Sequence, residues 1–361
     1  MARNPVDPIP PLAGHTPVLS KLRSFTMISV AIPRSLRKSL FSAILAGAAG
    51  LSTFSAQAVE QLKIGTVVWV GQAPFYVADK LDLFKAHGLK VKLQFFSDPT
   101  LIPTAIASSA LDGGTLTYDQ VINTTAQGLR QKVVMPIDFS NGGDAIVADA
   151  SIKSISDLKG HKVGYSPLST SDFLLAYALK SHGLSSSDIQ PVSMSPEDVP
   201  GAMASGSLPV GVTYEPSVSQ VVKLPGDKFH VLYSSKQAPG LITDVLVFDQ
   251  RLIDQRPAAI KALIQGYLDG LAYIKAHPDE SAAIIGKVLG VSAEEAKVQL
   301  QLVYNIPLGE MAKNFEKTDA VTSFFGSGQL IASLLKDAGQ ISAAPDLDAT
   351  FDTRFIQALS N

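Results

Sequence analysis

The 361 residues include no cysteine. This absence excludes disulfides, thiol catalysis, cysteine–metal sites and a lipid anchor built on a cysteine. Tryptophan occurs once, and the six histidines (His15, His87, His161, His182, His230 and His277) are scattered. His87, His182 and His277 fall near predicted helix C-termini, where a cation suits the helix dipole. The G-x-S-x-G, H-E-x-x-H and G-x-x-x-x-G-K-[ST] signatures are all missing, so the common hydrolase, metalloprotease and nucleotide-loop chemistries have no anchor. Acids form no local pair outside helix starts. No stretch approaches the ~20 apolar residues of a membrane-spanning helix. No low-complexity run or repeat period occurs between Val59 and Asn361.

What remains is an ordinary globular profile, 46% hydrophobic and 17% charged. The length suits about two domains. A body of this size buries ~75% of its unfolded surface and needs neither metal nor disulfide to hold it.

The N-terminus reads as a targeting segment. Arg34, Arg37 and Lys38 precede the apolar run Leu40–Leu51, and "FSAQA" ends at Ala58. A basic region, a short apolar region and Ala56-x-Ala58 describe a cleavable signal peptide. Residues 1–26 precede Met27, which is the better-placed start. No paired-arginine export motif is present. Residues 1–58 hold six basic residues and one acid, leaving 24 Lys/Arg against 31 Asp/Glu, a net charge of −7. A mildly acidic exported chain is a poor nucleic-acid binder. Export without a lipid anchor implies the periplasm.

Beyond Val59, strand and helix patterns alternate. "LKIGTVVWV", "KVKLQFF", "GGTLTY" and "KVVMPIDF" read as strands separated by helices. One helix is expected across "PFYVADKLDLFKAHG", with Pro74 in its first turn and Gly88 at its end. The order predicts an open, mostly parallel sheet with helices on both faces. After "FSNGGDAIVADASIKSISDLKG" (Phe139–Gly160) the alternation restarts as a second α/β unit. Two similar strands flank that unit: "DAIVAD" (Asp144–Asp149) and "DVLVFD" (Asp244–Asp249). From Gln250 on, the chain reads as almost wholly helical and is expected to pack on the first unit.

Gly142-Gly143 is not a phosphate cradle, because a strand follows rather than a helix N-terminus, and no Lys comes after. Asp144 has no partner base for catalysis. The glycines are expected to let the backbone turn sharply or pass close to a ligand.

Ligands of open α/β sheets bind beyond the carboxyl ends of strands. Those positions hold Trp69–Gln72, Thr117–Asp119, Asp138, Ser140, Asn141, Ser166, Ser169–Ser171, Thr213–Glu215, Thr243 and Asp244. They include the sole Trp and two Tyr, several acids, and no Lys or Arg. Aromatic walls with a few polar groups describe a small-molecule pocket. The helix starts at Asp119 and Ser169 suit a negative group; the acids suit an ammonium, amidine or ring N–H. Competing structural readings exist. Ser169 and Asp119 also read as helix caps, Trp69 as core, and Asp144 and Asp244 as loop anchors. Glu215, before Pro216, has no evident structural role and reads as a ligand contact.

The blocks "KIGTVVWVGQAPFYVADKLDLFKAHGLKVKLQFF", "DFSNGGDAIVA", "SISDLKGHKVGYS", "SDFLLAYALKSHGL", "VTYEPSVS" and "APGLITDVLVF" resemble, in this order, periplasmic solute-binding proteins of ABC importers. The group is that of taurine, aliphatic sulfonate, nitrate and thiamine-precursor binders. The resemblance implies a type II periplasmic binding fold, α/β, with two lobes and two crossing hinge strands. Lobe one would comprise residues 59–145 and 244–361, and lobe two residues 146–243. The crossings would lie at Asp144–Asp149 and Leu241–Phe248. Pocket positions carried over by place are Trp69, Gln72, Tyr118, Asp119, Asp138, Asn141, Asp144, Ser169, Thr170, Glu215 and Asp244.

The implied function is capture of a small solute and its delivery to a membrane permease driven by a cytoplasmic ATPase. The chain would act as a monomer, without cofactor or metal. Taurine or an aliphatic sulfonate is the leading implied ligand; a guanidinium-type cation or an aminopyrimidine is the alternative. Nitrate binders are expected to place a basic residue in the cleft, and the loops offer none. Two other classes stay open. A pyrimidine-synthase-like enzyme with pyridoxal phosphate and iron is opposed by the missing cysteines and the signal peptide. A receptor-linked sensor shares every feature of the transport reading.

Overall fold

The computed structural model describes residues 59–360. The leader and signal peptide read from the sequence lie outside them. Eleven strands are described: β1 (Glu60–Thr66), β2 (Leu89–Phe95), β3 (Gly113–Thr117), β4 (Gln131–Ser140), β5 (Asp144–Asp149), β6 (Lys162–Tyr165), β7 (Gln190–Ser193), β8 (Val210–Tyr214), β9 (Phe229–Ser234), β10 (Thr243–Asp249) and β11 (Val303–Asn305). They form two sheets. The first has the order β11-β4-β10-β3-β1-β2, the second β7-β6-β8-β5-β9.

Parallel pairing dominates where helices link the strands. β1 pairs in parallel with β2 and β3, and β6 with β7 and β8. Such crossovers leave helices on the faces and bury the strands. The helix Ala73–Lys80 follows β1 and starts with Pro74 in its first turn. It does not run on to Gly88 as the sequence suggested. Asp82 takes φ 57, a short helix Leu83–Ala86 follows, and Gly88 at φ 71 ends that second piece.

The two similar strands occupy equivalent places. β5 runs antiparallel between β8 and β9; β10 runs antiparallel between β3 and β4. Each is the first strand the chain forms after changing sheets. Each has a buried Asp at or next to its start (Asp144, Asp244) and ends with a less buried one. The terminal acids each accept from the N–H two residues on, Asp149 from Ser151 in a turn and Asp249 from Arg251 as the cap of helix Gln250–Gln255, both at 2.9 Å. The crossings therefore precede these strands. They fall at residues 141–143 and 235–242, because β5 lies wholly in the second sheet and β10 wholly in the first.

The C-terminal helices cover the first sheet. Pro257–Ala276 buries Ile260, Leu263, Ile264 and Tyr267 in one cluster with Phe75, Val77 and Leu246. This i, i+3, i+4, i+7 stripe is the one legible in the sequence. The short β11 was not foreseen: it lies inside an otherwise helical segment and pairs antiparallel with β4, forming the edge of the first sheet. Helix Phe324–Asp337 touches elements of both halves. Its Asp337 pairs with Lys180 at 2.5 Å, and Gln340 just beyond it donates to Asp172 at 2.7 Å. None of the described helices is long and apolar enough to cross a membrane.

Candidate ligand-binding cleft

A narrow cavity of about 30 Å³ lies where the strand ends of the two sheets meet. Its walls come from both halves: Val67, Trp69, Thr115, Thr117 and Asp244 from the first sheet and its loops, Asp144, Ser169, Thr170 and Tyr214 from the second. The Thr117 and Thr170 hydroxyls meet across it at 2.6 Å.

The strand registers explain the convergence. Asp144 pairs with Tyr214 on β8, while Asp244 sits between Thr117 on β3 and Asp138 on β4. Period-two geometry then fixes which side chains face the gap. Trp69 is held from below. The Tyr76 hydroxyl accepts from the Trp69 N–H at 3.1 Å and donates toward the carbonyls of Trp69 (2.9 Å) and Val67 (3.1 Å). The indole meets Tyr214 edge-on, with centroids 5.8 Å apart and planes at 82°, a favoured aromatic geometry.

Four carboxyls are buried here without a basic neighbour. Burial pushes Asp138 up to about 8, with the charge of Asp144 adding to it. It pushes Asp144 up to about 7, helped by Asp119, against a hydrogen bond from Ser140. Asp119 rises to about 6 by burial, with Asp172 adding a smaller push. Asp244 lies well above the ordinary range, by burial first and then by Asp138 and Asp144. Among the described residues lining the cavity there is no Lys, Arg or His. No group of three or more His, Asp or Glu among the described residues is arranged to hold a metal ion.

Among the described residues, the Tyr214 hydroxyl and the Gln72 amide are buried without a hydrogen-bond partner, and Trp69 Nε1 and the Asp138 carboxyl face each other and Asp244 without closing a well-formed bond. Asp138 and the indole nitrogen crowd one spot. A Cβ built on Gly71 would fall 2.1 Å from Asp138 Oδ2 and 2.3 Å from Trp69 Nε1. Unpaired buried polar atoms cost about 1–3 kcal/mol each, so native proteins leave few of them.

Of the positions expected from sequence, Trp69, Asp144, Ser169, Thr170 and Asp244 line the cavity. Asp119, Asp138 and Gln72 are buried, but none of the three lines it. Three others sit elsewhere. Tyr118 bonds Thr350 at 2.9 Å and packs on Phe324, deep in the core. Asn141 is exposed, and its backbone N–H donates to the Leu302 carbonyl at 2.8 Å. Glu215 does have a structural role. Its carboxylate accepts from the Ser219 N–H (3.1 Å) and hydroxyl (2.8 Å) in the first turn of helix Ser217–Val222. Val67, Pro99, Thr115, Leu116 and Gln120 also line the cavity and were not singled out. Thr115 had a signal, lying two residues before Thr117 on the same strand face. Pro99 had none, since its approach is purely tertiary.

Residues 69–281 match the family model described as NMT1/THI5 like. The chain belongs to the NMT1/THI5-like family. The taurine-binding periplasmic protein of Escherichia coli is 25% identical over 327 residues, 87% of this chain and 98% of that one. The periplasmic aliphatic sulphonate binding protein SsuA of Escherichia coli has the same fold, with a TM-score of 0.64 at 20% identity over 82% of this chain and 99% of its own. The alkanesulfonate-binding SsuA of Xanthomonas axonopodis pv. citri, solved with MOPS, gives 0.68 at 17% identity over 81% and 99%. These relatives of the NMT1/THI5-like chain are binding proteins rather than enzymes. The fold is the type II periplasmic binding fold, and the cavity lies between its two lobes.

Proposed function

We propose that this protein is the periplasmic solute-binding subunit of an ABC importer, and that it encloses a small cationic or ring-nitrogen organic solute between its lobes. Contacts from both lobes favour the closed form. That form docks on a membrane permease whose ATPase supplies the energy. The observation that carries the ligand class is that Asp144 and Asp244 line the cavity, with Asp119 and Asp138 buried close by, and no basic side chain is on the wall. Buried carboxylates stay ionised cheaply only beside positive charge or N–H donors. A guanidinium, amidinium or aminopyrimidine brings paired donors to such a site. Trp69 and Tyr214 provide faces and edges for a flat group.

An anion finds less support. The helices starting at Tyr118 and Thr170 each carry their own acid in the first turn, Asp119 and Asp172. A zwitterion of the taurine type is the second reading. It is favoured by the hydroxyls of Thr117, Ser169 and Thr170 on one wall, and by what the Escherichia coli relative binds. A thermal-shift screen over guanidinium, amidines, aminopyrimidines, polyamines, taurine, alkanesulfonates and nitrate tests this. Stabilisation by nitrogen cations is the expected result. Stabilisation by taurine alone selects the second reading. Stabilisation by nitrate or plain alkanesulfonates, with none by nitrogen-bearing compounds, overturns both.

A further inference from the structure

We propose that the missing side chain at Gly143 is what lets the Trp69 indole lie against the interlobe crossing, and that this contact sets how far the cleft closes. The inference rests on the two-lobe binding reading above.

The two glycines of the crossing do different work. Gly142 has φ 113, a conformation open to glycine. A Cβ there would meet nothing nearer than 3.4 Å, so the backbone turn, not space, requires glycine. Gly143 takes no positive φ. Its constraint is space: a Cβ would lie 2.4 Å from Trp69 Cη2 and 3.0 Å from Cζ3.

The contact joins parts that move separately. The Gly143 carbonyl accepts from the Glu215 N–H at 2.9 Å, continuing the β5–β8 ladder of the second lobe. Two residues earlier, the Asn141 N–H donates to Leu302 of the first lobe. Between them the Gly142 N–H donates to Ser235 Oγ at 2.7 Å, and Ser235 bonds Ser140 at 2.8 Å, tying the two crossings together. Gly143 thus travels with the second lobe. Trp69 is fixed to the first through Tyr76, yet its ring bears on Gly143 and on Tyr214 of the second. A wedge beside a hinge is amplified at the far rim, so one methyl group here opens the cleft. Trp69 is also the ring that faces the ligand cavity, so occupancy and hinge angle meet in one side chain.

The test needs no ligand, which separates its failure from failure of the binding reading. Trp69 is the only tryptophan, so intrinsic emission reports this site alone. In Gly143→Ala the emission is expected to shift to the red, and the radius of gyration from small-angle scattering to increase. Trp69→Leu added to Gly143→Ala should return the radius to the native value. If Gly143→Ala fails to fold, the double variant should recover folding. Gly142→Ala is the control: it lowers the melting temperature through backbone strain but leaves emission native. Native emission and radius in Gly143→Ala overturn the proposal. So does a double variant that stays open or unfolded.

Discussion

Four acids held in one buried cluster make the cleft a proton store. Burial pushes Asp119 up to about 6 and Asp144 up to about 7, and it holds the facing pair Asp138 and Asp244 above the ordinary carboxyl range as well. Above the ordinary carboxyl range of ~4 the unfolded chain has released these protons while the folded protein keeps them. For these groups stability is therefore full below about pH 4, falls as pH rises from there, and levels off once pH has passed the folded-state values, at about 8. The melting temperature of the unliganded protein should drop across that window, and a bound cation should remove the drop. Cation affinity should rise over the same window, as the carboxyls ionise. A pH-independent melting temperature with pH-independent affinity would contradict both. Asp144→Asn keeps the shape and removes the charge. A lost charged hydrogen bond of about 1.5–3 kcal/mol weakens cation binding roughly 10- to 100-fold, with no loss of melting temperature near neutral pH. A lower melting temperature with intact affinity would instead make Asp144 a hinge brace. The sequence showed that acids gather at strand ends without cations. It did not show that Asp138 and Asp244 face each other, since that depends on a cross-strand register set by residues far apart.

At the scale of elements, the clearest outcome concerns "DAIVAD" and "DVLVFD". Their likeness reflects one structural part used twice: an apolar strand inserted antiparallel between parallel neighbours, with an Asp at or next to each end. The apolar run and both acids were legible. The crossing points were not, because hydrophobic pattern marks where a strand is buried and not which sheet it joins. Glu215 shows the opposite failure. Its place before a proline at a strand end suggested a ligand contact, whereas the carboxylate accepts from Ser219 in the first turn of helix Ser217–Val222. Glu215→Ala is expected to cost about 0.5–2 kcal/mol, as loss of a side-chain acceptor at a helix N-terminus does, and to leave ligand affinity unchanged. Calorimetric melting and a binding titration check the two halves. A large loss of affinity without loss of stability would return Glu215 to the pocket.

At the scale of the whole molecule, two ion pairs between the halves outside the cleft are exposed. Lys223 pairs with Glu295 and Lys180 with Asp337, all four more than a third exposed. Such pairs contribute about 0–1 kcal/mol and weaken with salt. These ion pairs do not fix the closed form alone, so closure draws on contacts inside the cleft and on the packing of helix Phe324–Asp337 against the second half. The radius of gyration should shrink when a stabilising solute is added. An unchanged radius would remove the closure mechanism. The two-sheet plan and the helical cover were legible from alternation and period. The reach of helix Phe324–Asp337 onto the second half was not, because its stripe says only that one face is buried. The most direct test of the ligand class is a crystal structure with the solute that stabilises the protein best. A protonated nitrogen or ring N–H should lie within hydrogen-bond distance of at least two of Asp138, Asp144 and Asp244, with the solute against Trp69. An anionic group in that place, or a solute bound elsewhere, would contradict it.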